Sequence, residues 1–125
     1  LVQATNILKE TPETFSLMSG EDALNMPLMA IGAKGCISVT ANVVPRLMSE
    51  HIASCLNMDF AAAREQHKHL ARLNDLMFIE TNPIPAKEAL HMMGMIAPEF
   101  RLPMCRLQDK NLQTLKEGLK AYKLI

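Results

Sequence analysis

Four consecutive residues, Ser19-Gly20-Glu21-Asp22, have side chains suited to binding or to acid–base chemistry. They follow the short apolar run 15–18, which predicts a buried strand. Glycine lets a ligand approach the backbone closely, and aspartate is a common cap at the start of a helix. If the strand belongs to an α/β barrel, the loop after it faces the active site. On residue types alone, a plain strand-to-helix turn capped by Asp22 is the stronger interpretation.

A second candidate segment covers residues 35–43. Its first part, GCISVT, is rich in β-branched residues and predicts another short strand. Because side chains alternate between the two faces of a strand, its apolar and small polar side chains separate. The apolar set is Ile37 and Val39, and the small set is Cys36, Ser38 and Thr40. Small hydroxyls on buried strands more often bond the backbone than catalyse, so this segment alone favours a structural role.

The lysines do not supply an obvious nucleophile. A Schiff-base enzyme needs a lysine kept neutral in a desolvated pocket, so that its amine attacks a carbonyl group. None of the eight lysines lies in a predicted strand, and most fall on the polar faces of predicted helices. Lys34 precedes the second strand and therefore sits at the end opposite the candidate loops. A Gly-x-Ser-x-Gly nucleophile motif is also absent.

Metal binding is not indicated either. His67 and His69 are two residues apart on a predicted helix, so their rings point to different faces. The three cysteines, Cys36, Cys55 and Cys105, lack the spacing of a zinc site. Reduced, buried thiols of a cytoplasmic protein are the simpler interpretation. We therefore expect no metal.

Composition narrows the class of protein. The chain has 125 residues, is 49% hydrophobic and carries thirteen basic and thirteen acidic side chains. This balance predicts a soluble globular protein and gives no basic patch for nucleic acid. No apolar run approaches the roughly 20 residues that cross a bilayer, so no membrane partner is expected. Because the chain starts at Leu1 without an initiator methionine, we expect it to be part of something longer.

The order of predicted elements is helix, strand, helix, strand, helix, and then helices only. The boundaries are 1–10 (helix), 15–18 (strand), 23–31 (helix, capped by Asp22), 35–40 (strand), 45–56, 59–79, 83–93 and 109 to near the end (all helices). A strand–helix–strand unit predicts two parallel strands. Parallel strands occur in larger sheets covered on both faces, so these two should be the end of a larger α/β sheet or barrel.

Four segments taken together resemble the dihydrodipicolinate synthase family. They are 17–22 (LMSGED), 35–43 (GCISVTANV), 82–87 (NPIPAK) and 101–104 (RLPM), in the family's order and spacing. The resemblance implies an α/β fold: the last two strands of a (β/α)8 barrel, followed by a small all-helical domain. Residues 1–58 would be the barrel segment, with strands seven and eight, and residues 59–125 the helical domain.

The resemblance also implies an activity for the intact parent. The family condenses pyruvate with aspartate semialdehyde to hydroxytetrahydrodipicolinate, on the way to diaminopimelate and lysine. Pyruvate forms a Schiff base with a lysine on strand six, and no other cofactor is needed. That lysine and the proton-relay residues would precede Leu1, in the N-terminal part of the barrel. We therefore expect a homotetrameric, cytoplasmic lyase as the parent, and no activity from this chain alone.

Three residues are implied as substrate-binding by the same resemblance. Ile37 matches the position whose main chain lines the pyruvate site, and Gly20 and Glu21 match the strand-seven loop beside the second substrate. Most members of the family have aspartate in place of Glu21, which leaves that contact open. Asn82 matches a motif behind the site, where it would fix the start of a helix.

Two alternatives remain at the level of sequence. One is a related Schiff-base aldolase acting on N-acetylneuraminate or on 2-keto-3-deoxy sugar acids. The other is a non-catalytic helical interaction module, favoured by the predominance of helix and the lack of a nucleophile. The two predicted parallel strands count against the second alternative, because they have no evident purpose without a barrel.

Overall fold

The fold is known from a computed structural model, which describes all residues from 1 to 125. The chain forms two compact units, Leu1–Leu70 and Ala71–Ile125. The elements of the first unit are α1 (Val2–Glu10), β1 (Met18–Ser19), a first 3₁₀ helix (Asp22–Leu24), α2 (Asn25–Ala30), β2 (Gly35–Cys36), a second 3₁₀ helix (Thr40–Asn42) and α3 (Pro45–Leu56). The long helix α4 (Phe60–Leu76) begins in this unit, and the division into units falls within it.

The two strands pair in parallel, as the sequence predicted. Met18 is opposite Gly35 and Ser19 is opposite Cys36. Both strands are only two residues long, so the predicted lengths, 15–18 and 35–40, were wrong. A strand is defined by its ladder, and here each strand has one neighbour and an otherwise unpaired edge. After Cys36 the backbone leaves the extended conformation, and Val39 is already helical.

The helices of the first unit follow their sequence signals. Pro45 opens α3, where the first turn tolerates a residue without an N–H group. A positive-φ Gly32 follows α2, in a conformation that favours glycine. The buried core cluster consists of Met29, Ala33, Cys55 and Ala63, with partly buried Leu17, Met26, Leu28 and Ile52 packed against it. Helices α2 and α3 pack against the strand pair, and Ala63 of α4 joins the same apolar cluster.

The second unit contains the end of α4, then α5 (Ile84–Met92) and α6 (Asp109–Ala121). Its buried apolar side chains are Leu73, Leu76, Met77, Ile84, Ala86, Ala89, Leu107, Leu115 and Leu119. Gly94, with a positive φ, follows the end of α5, and its N–H donates to the His91 carbonyl. The acid at the start of the last predicted helix, Asp109, also suggests a cap, and this interpretation is wrong because Asp109 is the first helical residue of α6. Helix α5 begins at Ile84, two residues after Asn82.

The predicted domain boundary between residues 58 and 59 lies in the turn that joins α3 to α4. The compact units divide twelve residues later, between Leu70 and Ala71. Because α4 runs through both compact units, the division into units does not show to which domain this helix belongs. The assignment of residues 1–58 to a barrel and 59–125 to a helical domain therefore stays a prediction.

Candidate functional site

The loops that follow β1 and β2 lie side by side. The Ile37 N–H donates to the Ser19 carbonyl oxygen at 2.8 Å, which extends the parallel pairing by one bond. Ser19 is buried, and its hydroxyl donates to the Glu21 carbonyl at 3.0 Å while accepting from the Glu21 N–H at 3.3 Å. The structure therefore brings the three predicted binding positions, 20, 21 and 37, to one end of the strand pair.

Asp22 does not cap the helix that follows β1, and this prediction was wrong. Glu21 holds the cap position of the first 3₁₀ helix, and its carboxylate accepts from the Ala23 N–H at 3.4 Å. Asp22 turns inward instead and is only 3% exposed. Its Oδ2 accepts from the N–H groups of Val39 and Thr40, each at 2.9 Å. The carboxylate thus binds the start of the second 3₁₀ helix, which lies beyond the next strand.

Asn25 supports the Asp22 carboxylate from the other side. It is fully buried, and its Nδ2 donates to Asp22 Oδ1 at 3.2 Å. The same nitrogen lies 3.4 Å from Met48 Sδ on α3, while Asn25 Oδ1 has no hydrogen-bond partner. Burial and the Asp22 charge raise the pKa of the nearby Cys36 thiol, and Asn25 partly opposes that shift. Cys36 is therefore held as a thiol rather than as a thiolate nucleophile.

The three predicted binding residues are all accessible. Gly20 is exposed, and a Cβ placed on it would meet no atom within 4 Å. Glu21 is exposed, although its carboxylate is partly used by the cap. Ile37 has 73% of its surface exposed, so its side chain does not fill the interior of this chain. The space around positions 20 and 37 is open to a ligand or to further protein.

An open, largely apolar groove of about 480 Å³ runs beside β2. It is lined by residues of both strands and by one side of α3, including Met18, Cys36, Met48, Ile52 and Leu56. Ser38 also lines it, and its hydroxyl accepts from the Ala41 N–H at 2.9 Å. The strand pair and α3 therefore share an open, largely apolar surface.

None of the lysines resembles a Schiff-base former. Seven of the eight are exposed. The exception, Lys87, is half-buried, and its Nζ donates to the Glu99 carbonyl and lies 4.9 Å from the centre of the Phe100 ring. The Lys87 amine therefore has a carbonyl acceptor and an aromatic face as neighbours, rather than an empty pocket that a carbonyl substrate could enter.

The cysteines and the acidic and imidazole groups add no second centre. Burial raises the pKa of the Cys55 thiol, as it does that of Cys36. Cys105 is exposed, contrary to the expectation of three buried thiols. No three His, Cys, Asp or Glu side chains come close enough together to hold a metal ion. No helix combines the length and the apolar character needed to span a membrane.

Comparison with known proteins decides the family. The family model described as the dihydrodipicolinate synthetase family matches residues 1–122. The chain belongs to this family. It is 48% identical over 121 residues to the 4-hydroxy-tetrahydrodipicolinate synthase of a Hydrogenobaculum species, covering 97% of this chain and 41% of that protein.

Solved structures of the family match equally well. The dihydrodipicolinate synthase of Aquifex aeolicus superposes with a TM-score of 0.97 at 48% identity, over 98% of this chain and 42% of that one. The chloride-inhibited Acinetobacter baumannii enzyme, solved in complex with pyruvate, gives a TM-score of 0.94 at 35% identity, over 99% of this chain and 43% of that one. The predicted fold class, the closing part of a (β/α)8 barrel followed by helices, is confirmed.

The chain spans less than half the length of the relatives it matches. Membership of the dihydrodipicolinate synthase family is therefore established for these 125 residues. Sequence reasoning found the two loops but missed the Asp22–Asn25 pair. The available signal was the doubled acid at 21 and 22, because only one of two adjacent residues occupies a cap position.

Proposed function

We propose that the complete protein is a 4-hydroxy-tetrahydrodipicolinate synthase, which condenses pyruvate with aspartate semialdehyde in lysine and diaminopimelate biosynthesis. One observation carries the proposal. The Ile37–Ser19 hydrogen bond joins the two loops that the family resemblance assigns to substrate binding. Loops at this end of parallel barrel strands carry the active site in such folds. The family match over residues 1–122 supports the same reaction.

Each loop has its own part in this proposal. The main chain of Ile37 lines the pyruvate site, because its N–H is fixed on Ser19 and its backbone is held beside the β1 loop. Gly20 leaves room for the second substrate, since no atom lies within 4 Å of its Cβ position. Glu21 faces the same space. Its carboxylate also accepts from the Ala23 N–H at 3.4 Å.

We infer that the Schiff-base lysine comes from a part of the barrel outside these residues. Seven exposed lysines and one engaged Lys87 leave no desolvated amine in the chain. The apolar groove and the unpaired edge beside β2 suit the packing of further barrel strands and helices. The 125-residue polypeptide by itself is therefore expected to be inactive. In this proposal the covalent pyruvate adduct is the only cofactor-like species, and no metal takes part.

The proposal extends to assembly and location. We propose a homo-oligomer, as a homotetramer, acting in the cytoplasm. Neutral balance of charge and reduced, free cysteines support this setting. Light scattering on the complete protein tests the assembly, and a monomer would contradict it.

Borohydride trapping tests the reaction. The complete protein is incubated with pyruvate, reduced and digested, and the modified peptide is identified by mass spectrometry. We expect one modified lysine outside residues 1–125, and an adduct on one of the eight lysines here would overturn the assignment. Turnover with aspartate semialdehyde, compared with N-acetylneuraminate and 2-keto-3-deoxy sugar acids, identifies the substrate. Preference for a sugar acid would overturn the proposed synthase activity.

A further inference from the structure

We propose that Asp22 is a positioning residue that fixes the main chain of Ile37 for pyruvate. This inference rests on the proposed function. The observation behind it is a buried carboxylate that reaches across to the neighbouring loop. Asp22 Oδ2 accepts from both the Val39 and the Thr40 N–H at 2.9 Å, seventeen and eighteen residues away in sequence.

Two hydrogen bonds, one at Ile37 and one at Val39, hold a very short segment from both sides; we call this pair of bonds the clamp. On one side, the Ile37 N–H is fixed to the Ser19 carbonyl at 2.8 Å. On the other side, the Val39 N–H is fixed to Asp22. Only the backbone between these two bonds, from the Ile37 carbonyl to Ser38, lies unclamped. Its orientation is therefore set by two anchors, one on the last residue of β1 and the other three residues further along the chain.

The carboxylate itself is held in one orientation. Asn25 Nδ2 donates to Asp22 Oδ1 at 3.2 Å, which leaves Oδ2 for the two backbone N–H groups. Asn25 is fully buried and also contacts Met48 on α3, so the pair is anchored in packed structure. A carboxylate with this many donors and 3% exposure does not contact substrate. Asp22 acts through Ile37.

Fixing a main-chain group before the substrate arrives matters for catalysis. A peptide group that is already oriented loses no freedom when the substrate binds. Without the carboxylate, residues 37–40 would have two free N–H groups and would exchange between several orientations. Binding and attack on pyruvate would weaken, although the reactive lysine would be untouched. The aspartate semialdehyde contacts assigned to Gly20 and Glu21 would change little.

Asp22→Ala and Asp22→Asn in the complete protein test this role. Asp22→Ala removes the acceptor, so we expect the pyruvate concentration for half-maximal trapping, and the pyruvate KM, to rise about 10-fold or more. Asp22→Asn keeps one oxygen for the two N–H groups. Its amide nitrogen can face the unpartnered Asn25 Oδ1 after a rotation of that amide. We expect Asp22→Asn to recover most of the pyruvate affinity.

Asp59→Ala is the matched control. Asp59 is an acidic side chain in the same unit, and its Oδ1 accepts from the Ala62 N–H at 3.1 Å near the start of α4, away from the loops. It should lower the Tm without moving the pyruvate KM. If Asp22→Ala lowers the Tm but leaves the pyruvate KM unchanged, Asp22 is merely structural and the positioning role is wrong.

Three further outcomes are informative. If Asp22→Ala does not fold, Asn25→Ala replaces it, because it frees the carboxylate while retaining the charge. An unchanged pyruvate KM in Asn25→Ala would then overturn the role. A wild-type protein that traps no pyruvate would overturn the proposed function, and the positioning role with it. Normal trapping by the wild type and unaltered trapping by every variant would overturn the positioning role alone.

Discussion

The loop junction after β1 and β2 and the helical core of the second unit each contain a buried carboxylate and a glycine. In the loop junction, Asp22 is bonded by backbone N–H groups and Gly20 is surrounded by open space. In the helical core, Glu88 is bonded by the Arg106 guanidinium at 2.7 and 2.8 Å, and Gly118 is packed against Leu76. A buried carboxylate and a glycine thus hold the backbone of a loop beside open space in one region, and allow close helix packing in the other.

The two carboxylates differ in what their loss would release. Asp22 has no cationic partner, so its removal frees two N–H groups and loosens a loop. Glu88 has a partner that is half exposed, whereas its own side chain is fully buried. The hydrogen bond from Arg106 lowers the pKa of Glu88 and outweighs burial, which raises it. A hydrogen bond from the Leu107 N–H lowers it further. Removing Arg106 should therefore destabilise the protein more than removing the charge of Glu88.

Arg106→Met should give the largest effect on stability. It leaves a fully buried carboxylate without its cation, which is among the most destabilising changes in proteins. Glu88→Gln is the control, because its freed Arg106 can turn to water. We expect Glu88→Gln to cost about 1–2 kcal/mol and Arg106→Met to cost clearly more. Urea unfolding of the complete protein measures both, and equal losses would show that Glu88 reaches solvent.

Asp22→Ala should have the next largest effect. Two backbone N–H groups lose their acceptor, one of them on the buried residue Thr40. We expect a loss of about 2–3 kcal/mol in the free energy of unfolding, and less than half of that for Asp22→Asn. If Asp22→Asn destabilised as much as Asp22→Ala, charge rather than backbone bonding would hold the loop. The comparison with Glu88 would then fail.

Replacing each glycine by alanine should affect a different property in each region: stability in the helical core and substrate binding at the loop junction. A Cβ on Gly118 would come within 2.2 Å of Leu76 Cδ1, so Gly118→Ala should cost about 1–3 kcal/mol despite alanine's higher helix propensity. Leu76→Ala combined with Gly118→Ala should cost less than the sum of the two single changes. Gly20→Ala meets nothing, and should leave the Tm unchanged while raising the KM for aspartate semialdehyde. An unchanged KM would remove Gly20 from the second-substrate site.

The smallest effects on the free energy of unfolding should come from pH. We expect one pH range for a group in the first unit and a more acidic range for a group in the second. Burial, with a smaller contribution from His67, lowers the pKa of His51 in the first unit from its ordinary 6.5. The unfolded chain therefore takes up a proton that the folded form resists. Stability is full above pH 6.5 and is lost as the pH falls toward the folded pKa. His51→Gln should flatten this part of the unfolding profile.

Glu88 should act in a more acidic window. Its folded pKa lies below the ordinary 4.5, so its contribution is present above that value and is lost as the pH falls through the folded pKa. Glu88→Gln should remove this loss and leave the window below pH 6.5 unchanged. Unfolding curves of both variants across pH serve as reciprocal controls. A variant that alters both windows would show that the two groups are coupled.

The sequence predicted the helices well because their signals are local. The helices predicted over 45–56 and 83–93 appear as α3 (Pro45–Leu56) and α5 (Ile84–Met92), and Pro45 and Gly94 at their ends act through their own backbone preferences. The strands were predicted too long, because a strand extends only as far as its neighbours allow. Parallel pairing was predictable from the βαβ order, since that connection has few geometric solutions.

The candidate site was predictable only in outline. The positions 20, 21 and 37 came from the family resemblance, and the structure places them together. The role of Asp22 was mistaken for a cap, because the local pattern of an acid before a helix is satisfied equally well by Glu21. Its true partners are seventeen and eighteen residues away, and no local pattern encodes such a bond.

The clamp on residues 37–38 has a consequence for how this site varies among relatives. If the group offered to pyruvate belongs to the main chain, the identity of the contacting side chain carries little information about the reaction. The orientation of that main-chain group would instead depend on Asp22, which contacts no substrate, and on the Asn25 side-chain amide that orients the Asp22 carboxylate. If the proposed positioning role holds, a catalogue of the site based on proximity to pyruvate would include Ile37 and omit Asp22, although we expect Asp22 to be the more difficult of the two to replace.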